Sequence, residues 1–142
     1  MAKQFDFSFS VKEIHKFVTE WVKLLAEKDY AKAYDLVLLS DYFGWTPLLM
    51  ESVVNGYGLP YEGNGTKYEV TNPATAIGQG YDFDILFYDP NGVVHFIEGR
   101  ERVGEVWYNL PLNGEWSDLT VTFDLVRTQD GTYLEFNDIH IH

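Results

Sequence analysis

Residues 118–125 read Asp-Leu-Thr-Val-Thr-Phe-Asp-Leu, and this stretch decides the fold class. Its apolar and polar residues alternate, so the apolar side chains share one face and the polar side chains the other. That period of two predicts a β-strand with one buried face. The polar side carries Asp118, Thr120, Thr122 and Asp124. It is predicted to be a solvated face of the sheet, with a dimer interface as the alternative.

Similar segments flank this strand from residue 68 onward. The predicted strands cover residues 68–71, 81–88, 93–97, 106–110, 118–125 and 132–141. Asp-Pro-Asn-Gly at 89–92 has the composition of a tight turn, which makes residues 93–97 the predicted hairpin partner of residues 81–88. Glycines at both ends of the charged stretch 99–104 predict a bulge or bend there.

Helix signals fill the N-terminal part of the chain. Ser10 followed by Glu13 can cap a first helix, whose apolar residues then recur at three- and four-residue steps. Asp29 can cap a second helix that runs through Leu38. The first two helices are therefore predicted to be amphipathic and to cover a core.

A third helix completes the helical part. Thr46-Pro47 supplies an N-cap and a proline at the first helical position, and Gly56 fits a left-handed helix stop. Helices over about 10–56 and a sheet over about 67–141 form an α+β order in one domain, 1–142. The predicted fold packs N-terminal helices on one face of a curved antiparallel sheet.

This order resembles the nuclear-transport-factor-2-like superfamily, also called cystatin-like. The resemblance is carried by the capped first helix, by KDYAKAY at 28–34 and by the long meander of strands. LPL at 110–112, WSDLT at 116–120 and DIHI at 138–141 are similar to a bacterial branch of such domains that has no assigned activity. The resemblance implies a cone-shaped fold, a pocket between helices and sheet, and a homodimer, but no catalytic residues.

Composition and charge exclude several classes of function. Hydrophobic residues make up 46% of the 142-residue chain, which is enough for a core, and there is no cysteine for a disulfide or a thiolate site. The net charge is −12, and residues 34–142 hold four basic against 17 acidic side chains. Such a polyanion is not expected to bind nucleic acid or an anionic membrane. The charge favours solubility, or attraction to a basic protein partner.

No signal peptide or spanning segment is recognisable in the sequence, so a cytoplasmic location is expected. Small-ligand sites are usually cavities lined by rings and a few polar groups. The residues expected to line such a pocket are Trp21, Tyr34, Asp35, Tyr42, Trp45, Trp107 and Tyr108. For Trp21 and Tyr34 the alternative is that they fill the core.

Asp138 and His140 are the most chemically suggestive pair in the sequence. Two residues apart on a strand they face the same way, so the carboxylate could orient the imidazole as a general base or acid. Asp35 with Tyr34 is a second candidate pair. A bulge near Asn137 would instead keep the neighbouring apolar residues inward, place His140 at the surface and remove the pair.

Two further clusters have simpler explanations. His140 and His142 could hold a metal together with His95 or a carboxylate, but the spacing does not specify which residue would be the third ligand, so neither a metal nor a cofactor is expected. Arg100 and Arg102 lie among Glu98, Glu101 and Glu105. An arginine there could clamp a carboxylate ligand, although neutralisation of the glutamates is the simpler interpretation.

These observations favour non-catalytic binding of a small, partly apolar ligand in a helix-and-sheet pocket of a homodimer. The first alternative is an acidic, immunity-type inhibitor of a basic toxin or another basic protein. The second is a cofactor-free hydrolase or isomerase.

Overall fold

The described part of the chain contains three helices and one sheet of six strands, and all but the first strand follow the helices. The structure, a computed structural model, describes residues 2–4, 10–39, 44–57, 67–88, 95–97 (backbone only) and 99–141. The elements are α1 (Val11–Ala26), α2 (Tyr30–Asp35), β1 (Leu38–Leu39), α3 (Pro47–Asn55), β2 (Phe83–Phe87), β3 (His95–Ile97), β4 (Arg100–Leu112), β5 (Glu115–Arg127) and β6 (Thr132–Ile141). The α+β class predicted from the sequence is confirmed.

The N-termini of the helices form where their capping residues predict them. The hydroxyl of Ser10 accepts a hydrogen bond from the backbone N–H of Glu13 (3.2 Å), and Asp29 accepts one from Lys32 (3.1 Å). Thr46 caps α3 in the same way. Each cap satisfies a backbone donor that the first turn of a helix leaves without a partner.

The C-terminal ends of α2 and α3 differ from the predictions. Helix α2 stops at Asp35, and Leu38–Leu39 forms β1, so the first 56 residues are not all helical. The physical reason is that β1 pairs with the edge of β6, which supplies backbone partners that a longer helix would forgo. Gly56 ends α3 at a φ of −85° rather than in the left-handed conformation.

The strand order is β1-β6-β5-β4-β2, with β3 also paired to β4. Because β1 runs parallel to β6 while the other pairs are antiparallel, the sheet is mixed rather than wholly antiparallel as predicted. Residues 68–71 form no strand; Val70 makes a single bridge to Leu112. The final strand has the predicted bounds, 132–141.

The predicted hairpin between residues 81–88 and 93–97 is wrong. Strands β2 and β3 both pair with β4, β2 along residues 104–108 and β3 along residues 100–102. This is possible because β4 begins earlier than predicted and its 13 residues offer an edge long enough for both. The turn at 89–92 lies outside the described residues.

The sheet has the irregularity predicted for residues 99–104 and also the bulge near Asn137 that the sequence offered as an alternative. The register between β4 and β5 shifts between Arg102 and Gly104. In β6, Phe136 pairs with Phe123 and Asp138 with Thr122, so residue 137 is an extra, bulged residue. Because of this bulge, Phe136 and Ile139 are both buried on the same side of the sheet.

The two faces of the sheet carry different residues. The inner face carries Val121 and Phe123, and the outer face carries Thr120, Thr122 and their register partners. On the inner face the Trp21 ring of α1 packs edge-on against Phe123, with ring centroids 5.0 Å apart. One buried cluster joins the apolar side chains of α1, α2, α3 and the long strands.

The prediction that the polar side of β5 is solvated is only partly right. Asp118 is exposed, but Thr120 and Thr122 are 1% and 4% exposed. The longer side chains of Trp107 and Asn109 on β4 and of Asp138 and His140 on β6 flank the two threonines and shield them. Among the described residues no helix is long and apolar enough to cross a membrane.

Candidate functional site

The structure separates most of the residues predicted to line one pocket. Trp21 is fully buried and donates from Nε1 to the carbonyl of Ala33 (2.8 Å), which is the core role given as its alternative. Trp45 is 8% exposed and packs edge-on against Phe136. Tyr34 is half-buried against the core. These side chains build the fold rather than a cavity.

The other predicted residues divide between the two faces. Asp35 ends α2 and is exposed, and Tyr42 lies outside the described residues. Trp107 lies on the outer face, because it pairs with Thr122 in the register of β4 and β5. Tyr108 alone of the predicted set lines a described pocket.

That pocket has a volume of about 350 Å³ and lies between α1 and the inner face of the sheet. Tyr108 and Trp116 form its sheet wall. The complete lining is His15, Thr19, Lys23, Pro73, Ala74, Tyr81, Tyr108 and Trp116. We call this the ring pocket.

The helix wall comes from one stripe of α1. His15, Thr19 and Lys23 follow each other at four-residue spacing, so they lie one above another on the same side of the helix. The stripe borders the buried apolar stripe that carries Ile14, Val18 and Val22. It is thus held against the sheet by the burial of its neighbours.

The rim is tied to the tip of the β4–β5 hairpin. Asn113 and Gly114 form its two-residue turn, both with positive φ (50° and 88°), as the tightest hairpins require. Thr71 donates from its N–H to the Pro111 carbonyl (3.0 Å), and its hydroxyl accepts from Gly114 (2.8 Å). Ile77 accepts from the N–H of Trp116 (3.1 Å). These bonds fix residues 71–77, and with them Pro73 and Ala74, at the mouth of the ring pocket.

Aromatic rings in contact form the apolar part of the site. Tyr81 and Trp116 pack edge to face with centroids 4.6 Å apart, and Tyr81 and Tyr108 with centroids 5.8 Å apart. The His15 ring lies 4.6 Å from Phe83 in a similar arrangement. Edge-to-face pairs of this kind are the favourable geometry for aromatic side chains.

Tyr81 also gives the pocket its polar tip. Its hydroxyl is hydrogen-bonded to Nε2 of His15 at 2.6 Å. Burial, followed by the influence of Tyr108 and Asp82, raises the pKa of Tyr81 above the usual 10, and burial raises that of Tyr108 as well. Both phenols therefore keep their protons at neutral pH and act as neutral hydrogen-bonding groups.

A second cavity of about 310 Å³ lies beside the ring pocket. Lys23 lines both cavities. The other lining residues of the second cavity are Ala26, Glu27, Glu69, Val70, Thr71 and Asn72. Both cavities therefore lie between α1 and the segment 69–74.

Asp138 and His140 do come together, but not in the ring pocket. His140 Nδ1 lies 3.3 Å from Asp138 Oδ2, and the side chains are 39% and 38% exposed. They lie on the outer face because they pair with Thr120 and Thr122. The bulge at residue 137 causes this placement, as the alternative interpretation predicted, but the pair is retained, whereas that interpretation expected it to be lost.

The predicted arginine cluster is also on the outer face. Arg100 and Arg102 donate to opposite oxygens of Glu135, at 2.6 and 2.8 Å, and Glu135 is 1% exposed. Arg102 Nε lies 3.5 Å from Asp124. We call these four residues the ion cluster. The arginines thus neutralise acids on β5 and β6 rather than the glutamates beside them in sequence.

Glu105 extends this polar surface. Tyr88 and the indole N–H of Trp107 donate to its two carboxylate oxygens, at 2.6 and 3.0 Å. Glu98, the side chain of His95, and His142 lie outside the described side chains. Within the described residues no three His, Asp or Glu side chains are grouped as metal ligands.

Sequence reasoning missed most of the ring pocket. The available signal was the stripe His15, Thr19 and Lys23 beside the apolar face of α1, at the spacing that predicts neighbours on a helix. Tyr81 and Trp116 gave no such signal, because they meet only through the pairing of β2, β4 and β5.

Searches against protein-family models, curated proteins and solved structures gave no significant match.

Proposed function

We propose that this protein binds a small, partly apolar ligand in the ring pocket without transforming it. The supporting observation is the pocket itself, where Tyr81, Tyr108 and Trp116 offer apolar ring surface next to the His15–Tyr81 hydrogen bond. A mainly apolar lining with a few directed polar groups is the usual character of a small-molecule site. In this proposal the fold is a cone-shaped, nuclear-transport-factor-2-like domain that forms a homodimer.

The volume of the pocket limits the size of the ligand. About 350 Å³ lies near the lower end of ligand pockets, which span roughly 300–1,000 Å³. A cavity of about 150 Å³ already accepts benzene. The ligand in this proposal therefore has one or two rings or an equivalent compact apolar body.

Non-catalytic binding agrees with the separation of the polar groups. The Asp138–His140 pair lies on the opposite face of the sheet from the ring pocket. The polar groups of the ring pocket are two neutral phenols, one imidazole, the hydroxyl of Thr19 and the ammonium of Lys23. A ligand can be held and oriented by hydrogen bonds from these groups.

Trp116 provides the test, because its ring forms one wall of the pocket and its emission reports on that wall. A panel of one- and two-ring aromatic compounds is titrated, with binding measured by calorimetry and by tryptophan fluorescence. We expect at least one compound to bind at millimolar concentration or below and to change the emission. Trp116→Phe should remove that change, whereas the matched Trp107→Phe on the outer face should retain it.

Two results would contradict the proposed function. One is that no compound of the panel binds at millimolar concentration. The other is that the fluorescence response depends on Trp107 and is unaffected by Trp116→Phe, since binding would then lie on the outer face.

A further inference from the structure

Lys23 occupies the boundary between the ring pocket and the second cavity. Its side chain is 36% exposed, and its ammonium lies 3.6 Å from Glu20 Oε1, one turn earlier on α1. Glu20 is 60% exposed. Exposed helix pairs of this kind are weak, so a ligand anion at the pocket can replace Glu20 as the partner of Lys23.

The rings of the pocket do not form a cage for a cation. Tyr81 and Trp116 are in direct edge-to-face contact, with centroids 4.6 Å apart, and Tyr108 lies 5.8 Å from Tyr81. A cation bound by aromatic rings needs to sit over their faces, within about 6 Å of the centroids. The neighbouring ammonium of Lys23 would repel it there. The lining therefore disfavours a cationic ligand.

The net charge of −12 does not reverse this local preference. Exposed charges further apart than about 8 Å are largely screened at physiological ionic strength. Three acids lie near Lys23: Glu69 is paired with Lys28 (3.2 Å) and Lys67 (3.8 Å), and Glu20 and Glu27 are exposed to solvent. A ligand group in contact with Lys23 would experience that ammonium at hydrogen-bond distance, and the exposed acids through screening solvent. The local cation therefore determines which charge the pocket accepts.

We infer that the ligand is a small aromatic carboxylate, with its ring against Tyr81, Tyr108 and Trp116 and its carboxylate at the Lys23 ammonium. The inference rests on the proposed function, because it names the ligand class of the same pocket. Hydrogen bonds between an ammonium and a carboxylate are stronger than neutral ones, so the charge contributes affinity as well as orientation. The His15–Tyr81 pair also lines the pocket and can bind a second polar atom of the ligand.

The test compares matched ligands that differ in charge. Phenylacetate and indole-3-acetate are measured against their neutral amides and against phenethylamine, by calorimetry on the full chain. We expect each carboxylate to bind about tenfold more tightly than its amide, the scale of a charge-assisted hydrogen bond. Added sodium chloride should weaken the carboxylates and leave the amides unchanged.

Lys23→Gln should remove the preference for the carboxylate while leaving the affinity for the amides unchanged. Lys16→Gln is the matched control, because Lys16 is exposed on the same helix and lies outside both cavities. It makes the same change of charge and should leave all affinities unchanged. Circular dichroism checks that both variants are folded.

The outcomes separate the two proposals. Equal binding of carboxylate and amide, or tighter binding of phenethylamine, would overturn the carboxylate assignment while the pocket remains a binding site. A preference for carboxylates that survives Lys23→Gln would overturn the role of Lys23. If neither carboxylates nor amides bind, the proposed function fails together with this inference.

Discussion

Asp124 is the residue of the ion cluster whose proton affinity is raised in the folded state. Burial raises the pKa of its carboxyl from the usual 3.8 to about 6, and the charge of Glu135 adds to the increase. Arg102 opposes this shift, and Glu105 adds a smaller increase. Asp124 is partly buried next to the carboxylates of Glu135 and Glu105, so its deprotonated form is costly in the folded state.

A pH-dependent loss of stability follows from this shift. The folded state binds the Asp124 proton more tightly than the unfolded state, so the free energy of unfolding falls as pH rises from about 4 to about 6. Asp124→Asn removes the effect. Between pH 5 and pH 8, the stability of Asp124→Asn relative to the wild type should increase by about 1–1.5 kcal/mol.

Urea denaturation of both proteins at the two pH values measures this difference. The matched control is Asp84→Asn, which makes the same chemical change at an exposed position of β2. Its stability relative to the wild type should vary little with pH. If Asp124→Asn differs from the wild type equally at pH 5 and pH 8, the ion cluster does not raise the proton affinity of Asp124.

At the scale of elements, Gly104 of β4 lies directly against the backbone of β2. A Cβ atom on Gly104 would lie 2.5 Å from the backbone carbonyl oxygen of Leu86 and 3.0 Å from a methyl group of Leu125. A backbone atom cannot turn aside as a flexible side chain can. Strand β2 can pair here only because residue 104 has no side chain.

Gly104→Ala should therefore destabilise the fold by about 1–3 kcal/mol, the usual cost of overpacking. Gly56→Ala is the control, since Gly56 has an ordinary negative φ and a nearest contact of 3.3 Å. It should change stability by less than about 1 kcal/mol. Thermal and urea unfolding measure both variants. Equal stability of Gly104→Ala and the wild type would mean that β2 shifts away from β4 without cost.

The elements that the sequence predicted well are those with a local physical signal. Helix α1 begins where Ser10 and Glu13 predict, and the bulge at residue 137 follows from the apolar spacing of β6. Strand β1 has two residues, too few for any periodicity, and exists through its pairing with β6. The wrong β2–β3 hairpin has the same origin, because a turn signal does not reveal a third strand that both segments prefer.

The candidate site was less predictable than the fold for a related reason. Large aromatic residues are typical of both cores and pockets, and the sequence does not distinguish them. Trp21 belongs to the core, and Trp116 belongs to the pocket wall. Only the pairing of β2, β4 and β5 places Tyr81 beside Trp116, so the pocket is a property of tertiary structure.

At the scale of the whole molecule, the net charge of −12 opposes compactness. Self-repulsion among unpaired acids is screened as ionic strength rises, because the screening length falls from about 30 Å at 0.01 M to about 8 Å at 0.15 M. The ion cluster is partly buried, so its attractive pairs are screened much less. Salt should therefore weaken repulsion more than attraction.

We accordingly expect the midpoint of thermal unfolding at pH 7.5 to rise as sodium chloride increases from 10 to about 150 mM. The double variant Asp82→Asn/Asp84→Asn removes two exposed acids near β2 and should show a smaller rise. Calorimetric scans of both proteins measure the effect. A midpoint that falls with salt would show that attractive pairs, rather than repulsion, dominate the electrostatics of the folded state.

The parallel pairing of β1 with β6 also bears on how the chain matures on the ribosome. Leu38 and Leu39 acquire their backbone partners only when Glu135 and Phe136 have been synthesised. Until then β1 has no strand to pair with, and Trp21 on the apolar side of α1 lacks the Phe136 ring as a packing partner. Closure of the sheet is thus a late event in translation, and until then the nascent chain exposes apolar surface that the folded protein buries.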